Sequence, residues 1–286
     1  MKLSDRTVGE ELNFLLTNRI PRHALTRFMG WFSKVEAAPV RYVSIALWRL
    51  FCDVDLTDSA EKRFSSLHAA FVRRLREGAR SVDPDPSVVV SPCDAIVGAH
   101  GRVSDGQVWQ VKGLPYSVAD LLGDTSEAEP FRDGSFVTLR LTAGMYHRFH
   151  APHDLAVEQV RYISGDTWNV NPAALKRIER LYCRNERAPI AARLQAGSFP
   201  IMLVPVAAVL VASIRLPFLD NVGNVRSGGE RARPCSAVFA KGEEMGWFEH
   251  GSTIVVLVPK ECGLCPEIAE GSLIRMGEPL FRLQEP

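Results

Sequence analysis

The chain has 286 residues, 46% of them hydrophobic and 23% charged, with 34 basic against 33 acidic side chains. These proportions exclude a disordered tail, a collagen-like repeat and a polytopic membrane protein, and a net charge of +1 supplies no field for nucleic acid. Six cysteines over this length are too sparse for a disulfide scaffold, so reduced thiols are expected, and the chain is long enough to bury a core without staples.

In chain order, the first 75 residues read as helical. The opening MKLSDRTVGEELNF carries Asp5, Glu10 and Glu11 and lacks the apolar run and cleavage site of a secretory signal. Leu12, Leu15 and Leu16 are spaced for one helix face, a second helix is predicted between Pro21 and Pro39, and a third over Val40 to Phe51. The second has a wide apolar side including Phe28, Trp31 and Phe32, with Arg27 and Lys34 off it. Between Arg19 and Arg49 stand six basic residues (Arg19, Arg22, Arg27, Lys34, Arg41, Arg49) and one acid, Glu36. Such a segment suits a helix lying in a membrane interface, and equally one whose apolar face packs on the protein's own core. His68 to Arg76 predicts one more helix end, with its basic residues on the solvated side.

The prolines of SVDPDP at 81–86 mark a boundary, after which the pattern turns to strands. These are Val88 to Val90, Val108 to Val111 returning from a hairpin turn at Asp105–Gly106, Ser135 to Leu141, Leu155 to Ile163 and Thr253 to Val258. Short helices are predicted at Val118–Leu122 and Pro172–Glu179. Ile201 to Ile214 is apolar, but it contains Pro205, is rich in valine and falls short of the roughly 18 residues a span needs, so it reads as buried strand. The fold predicted is α+β: N-terminal helices over 1–80, then a mainly antiparallel β body over 81–286.

Chemistry has few local carriers. Cys262-Gly-Leu-Cys265 lacks the second ligand pair of a structural zinc site and the βαβ setting of a redox dithiol, so it reads as incidental thiols, and no metal is expected. There is no P-loop and no dinucleotide fingerprint. His147, His150 and His153 fall together. On a helix the first two would share a face as a metal pair; Pro152 and the flanking pattern favour a strand-to-loop, where their rings point to different sides and serve separate jobs. General acid–base work and plain structural roles both stay open for them. Gly251-Ser252-Thr253 before the apolar run Ile254–Val258 reads by itself as a turn, and Asp94 at the head of a strand as an Asx turn. Taken as Asp94…His150…Ser252, they are the components of an activated hydroxyl, an order common in chains of this size.

The local strings are more specific. SPCDAIVG at 91–98, GMYHRFHAPHD at 144–154 and GWFEHGSTIV at 246–255 resemble, in order and spacing, the SPxDGxV, YHRxHxP and GxFxxGST segments of phosphatidylserine decarboxylases. FVRRLREGARSVDPDP, GDTWNVNP and Arg184-Asn-Glu-Arg187 also fall where that family has counterparts. The resemblance implies a bacterial-type, self-processing carboxy-lyase. Ser252 would attack the Gly251 carbonyl, splitting a large chain (1–251) from a small one (252–286) and becoming a covalent pyruvoyl group. That ketone would form a Schiff base with phosphatidylserine, yielding phosphatidylethanolamine and carbon dioxide. His150, oriented by Asp94, would be the base for processing, and His147 would assist decarboxylation. The resemblance further implies a phospholipid substrate, a peripheral place on the cytoplasmic face of the cell membrane with the N-terminal helices docked there, the two chains of one precursor as partners, and no nucleic acid; it leaves a homodimer open. Arg184, Asn185, Glu186 and Arg187 are expected to form an ion-pair network rather than a substrate clamp. Two departures from the family strings, His250 where Leu is frequent and Ala95 where Gly is frequent, remove no reacting group. The rival expectations are a Ser-His-Asp hydrolase that does not cut itself, a pyruvoyl decarboxylase of soluble amino acids, and a membrane-bound scaffold that fails to process.

Overall fold

The computed structural model describes residues 22–111, 114–208, 214–219, 232–249 and 252–284. The expected helix through Leu12, Leu15 and Leu16, and residues His250 and Gly251, lie outside the described residues, and Ser252 is described by its backbone only.

Three helices come first: α1 (Arg22–Phe32), α2 (Ala38–Phe51) and α3 (Leu67–Phe71). Pro39 stands in the first turn of α2, where its missing N–H costs nothing, and Arg49 in the last turn complements the carbonyl end. Ser66 caps α3 by accepting from the Ala69 N–H. The helix predicted to run on toward Arg76 stops at Phe71. Arg73 is buried, and its guanidinium donates to the carbonyls of Ala70, Asp55 and Gly144 rather than facing solvent.

The body follows as β1 (Val88–Val90), β2 (Ala95–Arg102), β3 (Gln107–Val111), β4 (Leu114–Ser117), α4 (Val118–Leu122), α5 (Thr125–Ala128), β5 (Ser135–Leu141), β6 (Arg148–His150) and β7 (Leu155–Arg161). Then come α6 (Pro172–Leu175), α7 (Leu181–Arg184), β8 (Ile190–Leu194), β9 (Pro200–Ala207), β10 (Ile214–Arg215), β11 (Ala232–Pro234), β12 (Val238–Phe239) and β13 (Glu244–Phe248). The chain closes with β14 (Ser252–Val258), β15 (Cys262–Leu264), β16 (Leu273–Ile274) and β17 (Pro279–Leu283). The main sheet runs β11-β7-β8-β9-β14-β5-β2-β16, with β12 also on β7. Smaller sheets are β10-β13-β6, β1-β17-β15 and β3-β4. Every pairing between these strands is antiparallel, so the architecture is the α+β one the strand pattern predicts.

One hairpin differs from expectation in its partner. Asp105 and Gly106 both take positive φ, 48° and 72°, the backbone of a tight hairpin turn. The turn joins β2 to β3 by a single bridge between Ser104 and Gln107, and β3 then pairs with β4 in its own ribbon.

β14 is the centre of the main sheet, flanked by β5 and β9. It is buried on both faces, hence the unbroken apolar run Ile254–Val258. Ile254, Val256 and Val258 join Leu139, Leu141, Phe149 and Phe248 in one core; Val255 and Leu257 join Phe136, Val204, Leu121 and Tyr182 in the other. Each such side chain contributes about 1.5–3 kcal/mol on burial, so this strand is among the most firmly held parts of the molecule. Cys262 and Cys265 are free thiols buried beside it, and burial pushes the Cys262 thiol up to about 12 and that of Cys265 upward too.

Candidate active site

Two chain crossings build the site. β5 ends at Leu141, turns through 142–145 and re-enters as β6; β13 ends at Phe248 and, after three intervening residues, β14 begins at Ser252. β5 pairs with β14 and β6 with β13, so the strands that both connections join are neighbours in pairs. The Phe248 N–H donates to the His147 carbonyl at 2.9 Å, and Ser252 sits in register between Leu141 and Ala207. The crossing therefore brings His147 toward the head of β14 across about a hundred residues of sequence, whereas His150 lies further along β13, in register with Glu244.

His147 and His150 are both buried, in different surroundings. His147 stacks on Phe71 of α3, ring centroids 3.9 Å apart and 19° from parallel. Trp48 of α2 packs against the other side of that contact and donates its indole N–H to the Ala143 carbonyl at 3.0 Å. His150 holds the Gly242 carbonyl through Nδ1 at 2.9 Å and the Tyr146 hydroxyl through Nε2 at 2.9 Å. A carbonyl can only accept, so Nδ1 carries the proton and Nε2 is the lone-pair nitrogen that Tyr146 donates to. Burial lowers the His150 pKa, opposed by the Gly242 bond and by Glu244 and Asp94. It raises that of the Tyr146 phenol, which stays a donor. The result is a neutral imidazole with its basic nitrogen fixed.

The expectation that Asp94 orients this imidazole does not hold in the structure. Asp94 is buried, but its carboxylate takes the Arg80 guanidinium, with Nε at 3.0 and 3.2 Å from the two oxygens, and the Met276 N–H at 2.9 Å. Arg80 continues to Asp58 at 2.7 Å. The reason is geometric: a guanidinium fork matches a carboxylate bidentately, whereas an imidazole offers one N–H that the Gly242 carbonyl already takes. Asp94 still biases His150 through space, as a distant negative charge favouring the protonated ring.

Glu249, just after β13, is buried among basic side chains. Arg215 approaches at 3.1 and 3.2 Å, Lys34 at 3.4 Å and His68 at 3.9 Å. Lys34 follows α1 and His68 lies in α3, so the helical segment is tied electrostatically to the residues flanking position 251. Burial lowers the His68 pKa, with Glu249 opposing it. Behind β9, Asn185 is fully buried and grips the backbone of Trp168 and the Ala207 carbonyl, bracing the residue paired with Ser252. Arg187 donates to the carbonyls of Leu121, Asp120, Cys183 and Asn185. The Arg187 guanidinium thus braces four backbone carbonyls. His153 sits between the Pro86 and Asp154 carbonyls, pinning the proline-rich boundary.

Arg80, Phe71, Gly242 and the Glu249 cluster carry no local sequence signal; only Tyr146, inside the histidine string, could have been singled out. Among the described residues no group of three or more His, Cys, Asp or Glu is placed to hold a metal ion.

An antiparallel body that buries a neutral imidazole and ties a second buried histidine to the strand leading into a central one is the frame of an enzyme site rather than of a binding module. The family described as Phosphatidylserine decarboxylase matches residues 67–282. The chain is 34% identical over 257 residues to the phosphatidylserine decarboxylase proenzyme of Marinobacter nauticus (86% of this chain, 89% of that one). It is 32% identical to that of Saccharophagus degradans (96% and 98%) and 35% identical to that of Photobacterium profundum (92% and 94%). The chain belongs to the phosphatidylserine decarboxylase family, a family of carboxy-lyases.

Proposed function

We propose that this chain decarboxylates phosphatidylserine to phosphatidylethanolamine, using a pyruvoyl group that it makes from its own Ser252. The observation that carries the reading is the crossing, which ties His147 to Phe248, four residues before Ser252 in the chain; the relatives' designation as proenzymes agrees with it. His150, neutral and with Nε2 as its basic nitrogen, is suited to take the Ser252 hydroxyl proton once Tyr146 yields that position. The hydroxyl oxygen then bonds to the Gly251 carbonyl carbon as the peptide nitrogen leaves and takes up a proton, giving an ester; elimination expels the Gly251 carboxylate and separates the chains, and the dehydroalanine left at 252 tautomerises to an imine that water hydrolyses to the ketone with release of ammonia. The described residues fit a ketone at position 252: the strand behind it is buried on both faces, and His147, whose carbonyl holds the Phe248 N–H, is buried. Such a group supplies an electron sink for the amine-bearing substrate as carbon dioxide departs. His147, buried against Phe71, is suited to hold and return the proton that replaces the carboxyl group.

Severing 251 from 252 need not release the small chain. Its β14 lies between β5 and β9, β16 pairs with β2 and β17 with β1.

The substrate lies in a bilayer, and α1 and α2 are suited to meet it. Trp31 is 66% exposed, Leu50 73% and Phe51 78%, with Arg27, Arg41 and Arg49 on the same helices. Phe32, Val43 and Leu47 line an open apolar groove of about 500 Å³ between them. No helix among the described residues is long and apolar enough to cross a membrane; the reading puts the chain peripherally at the cytoplasmic face, docked through these helices. Intact-mass measurement of purified protein should give two species, 1–251 and a 252–286 fragment with a ketone at its N-terminus, and Ser252→Ala should give one. Turnover of phosphatidylserine by an uncut chain would end this reading.

A further inference from the structure

The connection from β13 to β14 is three residues long, and Glu249 is the one of them that the structure describes. Its side chain is only 6% exposed. Arg215 of β10 brings two N–H groups to the same carboxylate oxygen, Nη2 at 3.1 Å and Nε at 3.2 Å. Register explains this contact: β10 pairs with β13 through Ile214–Phe248 and Arg215–Trp247, which makes Glu249 the diagonal neighbour of Arg215. Lys34 reaches that oxygen at 3.4 Å, and His68 lies 3.9 Å from it. These two arrive together, because the His68 N–H donates to the carbonyl of Ser33, a fully buried residue beside Lys34. The three bases do not hold equally. Arg215 is charged at any ordinary pH; Lys34 is 47% exposed, where an ion pair is worth little; and burial lowers the His68 pKa, leaving its ring mostly neutral at pH 7.

A buried carboxylate stays where its cation is, since parting them leaves a desolvated charge uncompensated. Glu249 is thereby a fixed point of the backbone. Its neighbour Phe248 is fixed too, by the bond from its N–H to the His147 carbonyl, and Ser252 is held in register between Leu141 and Ala207. Only positions 250 and 251 separate the two anchors, and two residues of chain reach at most about 7 Å. Self-cleavage needs the Ser252 hydroxyl to meet the Gly251 carbonyl. A glycine takes either sign of φ about equally readily, so position 251 does not by itself aim that carbonyl. A short connection fixed at both ends does, and a misplacement of about 1 Å costs up to roughly a hundredfold in rate.

We propose that Glu249 is a positioning residue for self-cleavage: Arg215 clamps its carboxylate, and through it the chain on the acyl side of the 251–252 bond, while Lys34 and His68 complete the clamp when the helical segment is seated on the body. The inference rests on the reading of a chain that cuts itself at Ser252. Full-length precursor is made by cell-free synthesis with radiolabelled methionine in the presence of anionic vesicles, and the 252–286 fragment, which carries Met276, is timed on denaturing gels. Glu249→Gln should slow cleavage roughly 10–100-fold, Arg215→Gln by a similar factor, Lys34→Gln by a few-fold and His68→Gln least. Turnover of phosphatidylserine per cut chain should fall by no more than about twofold, because the bond being positioned is gone. Hydroxylamine, which cleaves an ester, should not speed the variants, since the slowed step comes before the ester. Cleavage of Glu249→Gln at the wild-type rate overturns the proposal, and so does an equal loss in cleavage and in turnover per cut chain. A variant that hydroxylamine cuts at once has already made its ester, which also overturns it. Should Glu249→Gln fail to fold by limited proteolysis, Lys34→Gln and Lys34→Glu decide: slower cleavage, more so with the acid, supports the clamp, and wild-type rates in both overturn it. A wild-type precursor that yields no 252–286 fragment defeats the processing reading itself, whereas a wild type and a Glu249→Gln cut equally fast defeat this inference alone.

Discussion

Phe149 and Phe248, on β6 and β13, meet with ring centroids 5.5 Å apart and no exposure, whereas Trp31 and Phe51, on α1 and α2, are 66% and 78% exposed. The charged groups divide in the same way. Around the crossing Asp94, Arg148 and Glu249 are buried and Arg80 half-buried, all bound to fixed partners; Arg27 and Arg49 sit on the surface of the helices. One region has its polar and apolar groups matched internally and is built to hold reacting atoms still. The other leaves an apolar, basic face without an internal match, the condition in which a lipid interface gains most from contact. Phe71 joins the two, since it is the helical segment's contribution to the His147 environment.

The sharpest way to break this contrast is at the histidines. His150→Ala should leave the chain uncut, a loss of roughly 10²–10⁴ in processing rate, whereas His147→Ala should give two fragments and a slow enzyme. Intact mass followed over time distinguishes them, and equal cleavage defects would refute the division of labour. Next comes the buried ion pair. Arg80→Ala leaves Asp94 uncompensated and should cost about 3–5 kcal/mol in denaturant unfolding, while Arg80→Ala with Asp94→Asn should recover part of that loss.

Acid comes third. His68 and His150 have pKa values lowered by burial, so the unfolded chain binds more protons than the folded one just below the ordinary histidine value. Stability is then full above about pH 6.5 and falls as pH drops from there toward the lowered values, each tenfold loss of proton affinity on folding costing about 1.4 kcal/mol. Chemical denaturation between pH 7.5 and 5.5 measures the slope, and His68→Gln should flatten it in part. The smallest effect on folding belongs to the helices. Trp31→Ser with Phe51→Ser should change stability by no more than about 0.5 kcal/mol per site, yet abolish co-sedimentation with anionic vesicles. Undiminished sedimentation would remove the proposed role of that face.

Much of this was legible along the chain. The run Ile254–Val258 announced a strand buried on both faces, Asp105–Gly106 a tight turn, and Pro39 a helix start, because each depends on residues within a few positions of one another. The two histidines on a strand-to-loop and the Gly-Ser before an apolar strand were likewise visible as strings. Arg80 was not, because its partner Asp94 lies fourteen residues away across an irregular segment and nothing local marks the pairing. The end of α3 at Phe71 was also hidden: the basic run after it looks solvated until Gly144 and Asp55 supply carbonyls to Arg73.

Sequence by itself determined the element types, the central strand, the family and the residues able to react, since periodicity, turn chemistry and side-chain identity are local properties. Tertiary structure alone decided which nitrogen of His150 is basic, that Gly242 rather than Asp94 orients it, and that Asp94 goes to Arg80. Those are questions of which oxygen reaches a given donor first, and that competition is settled only when strands distant in the chain are brought into register.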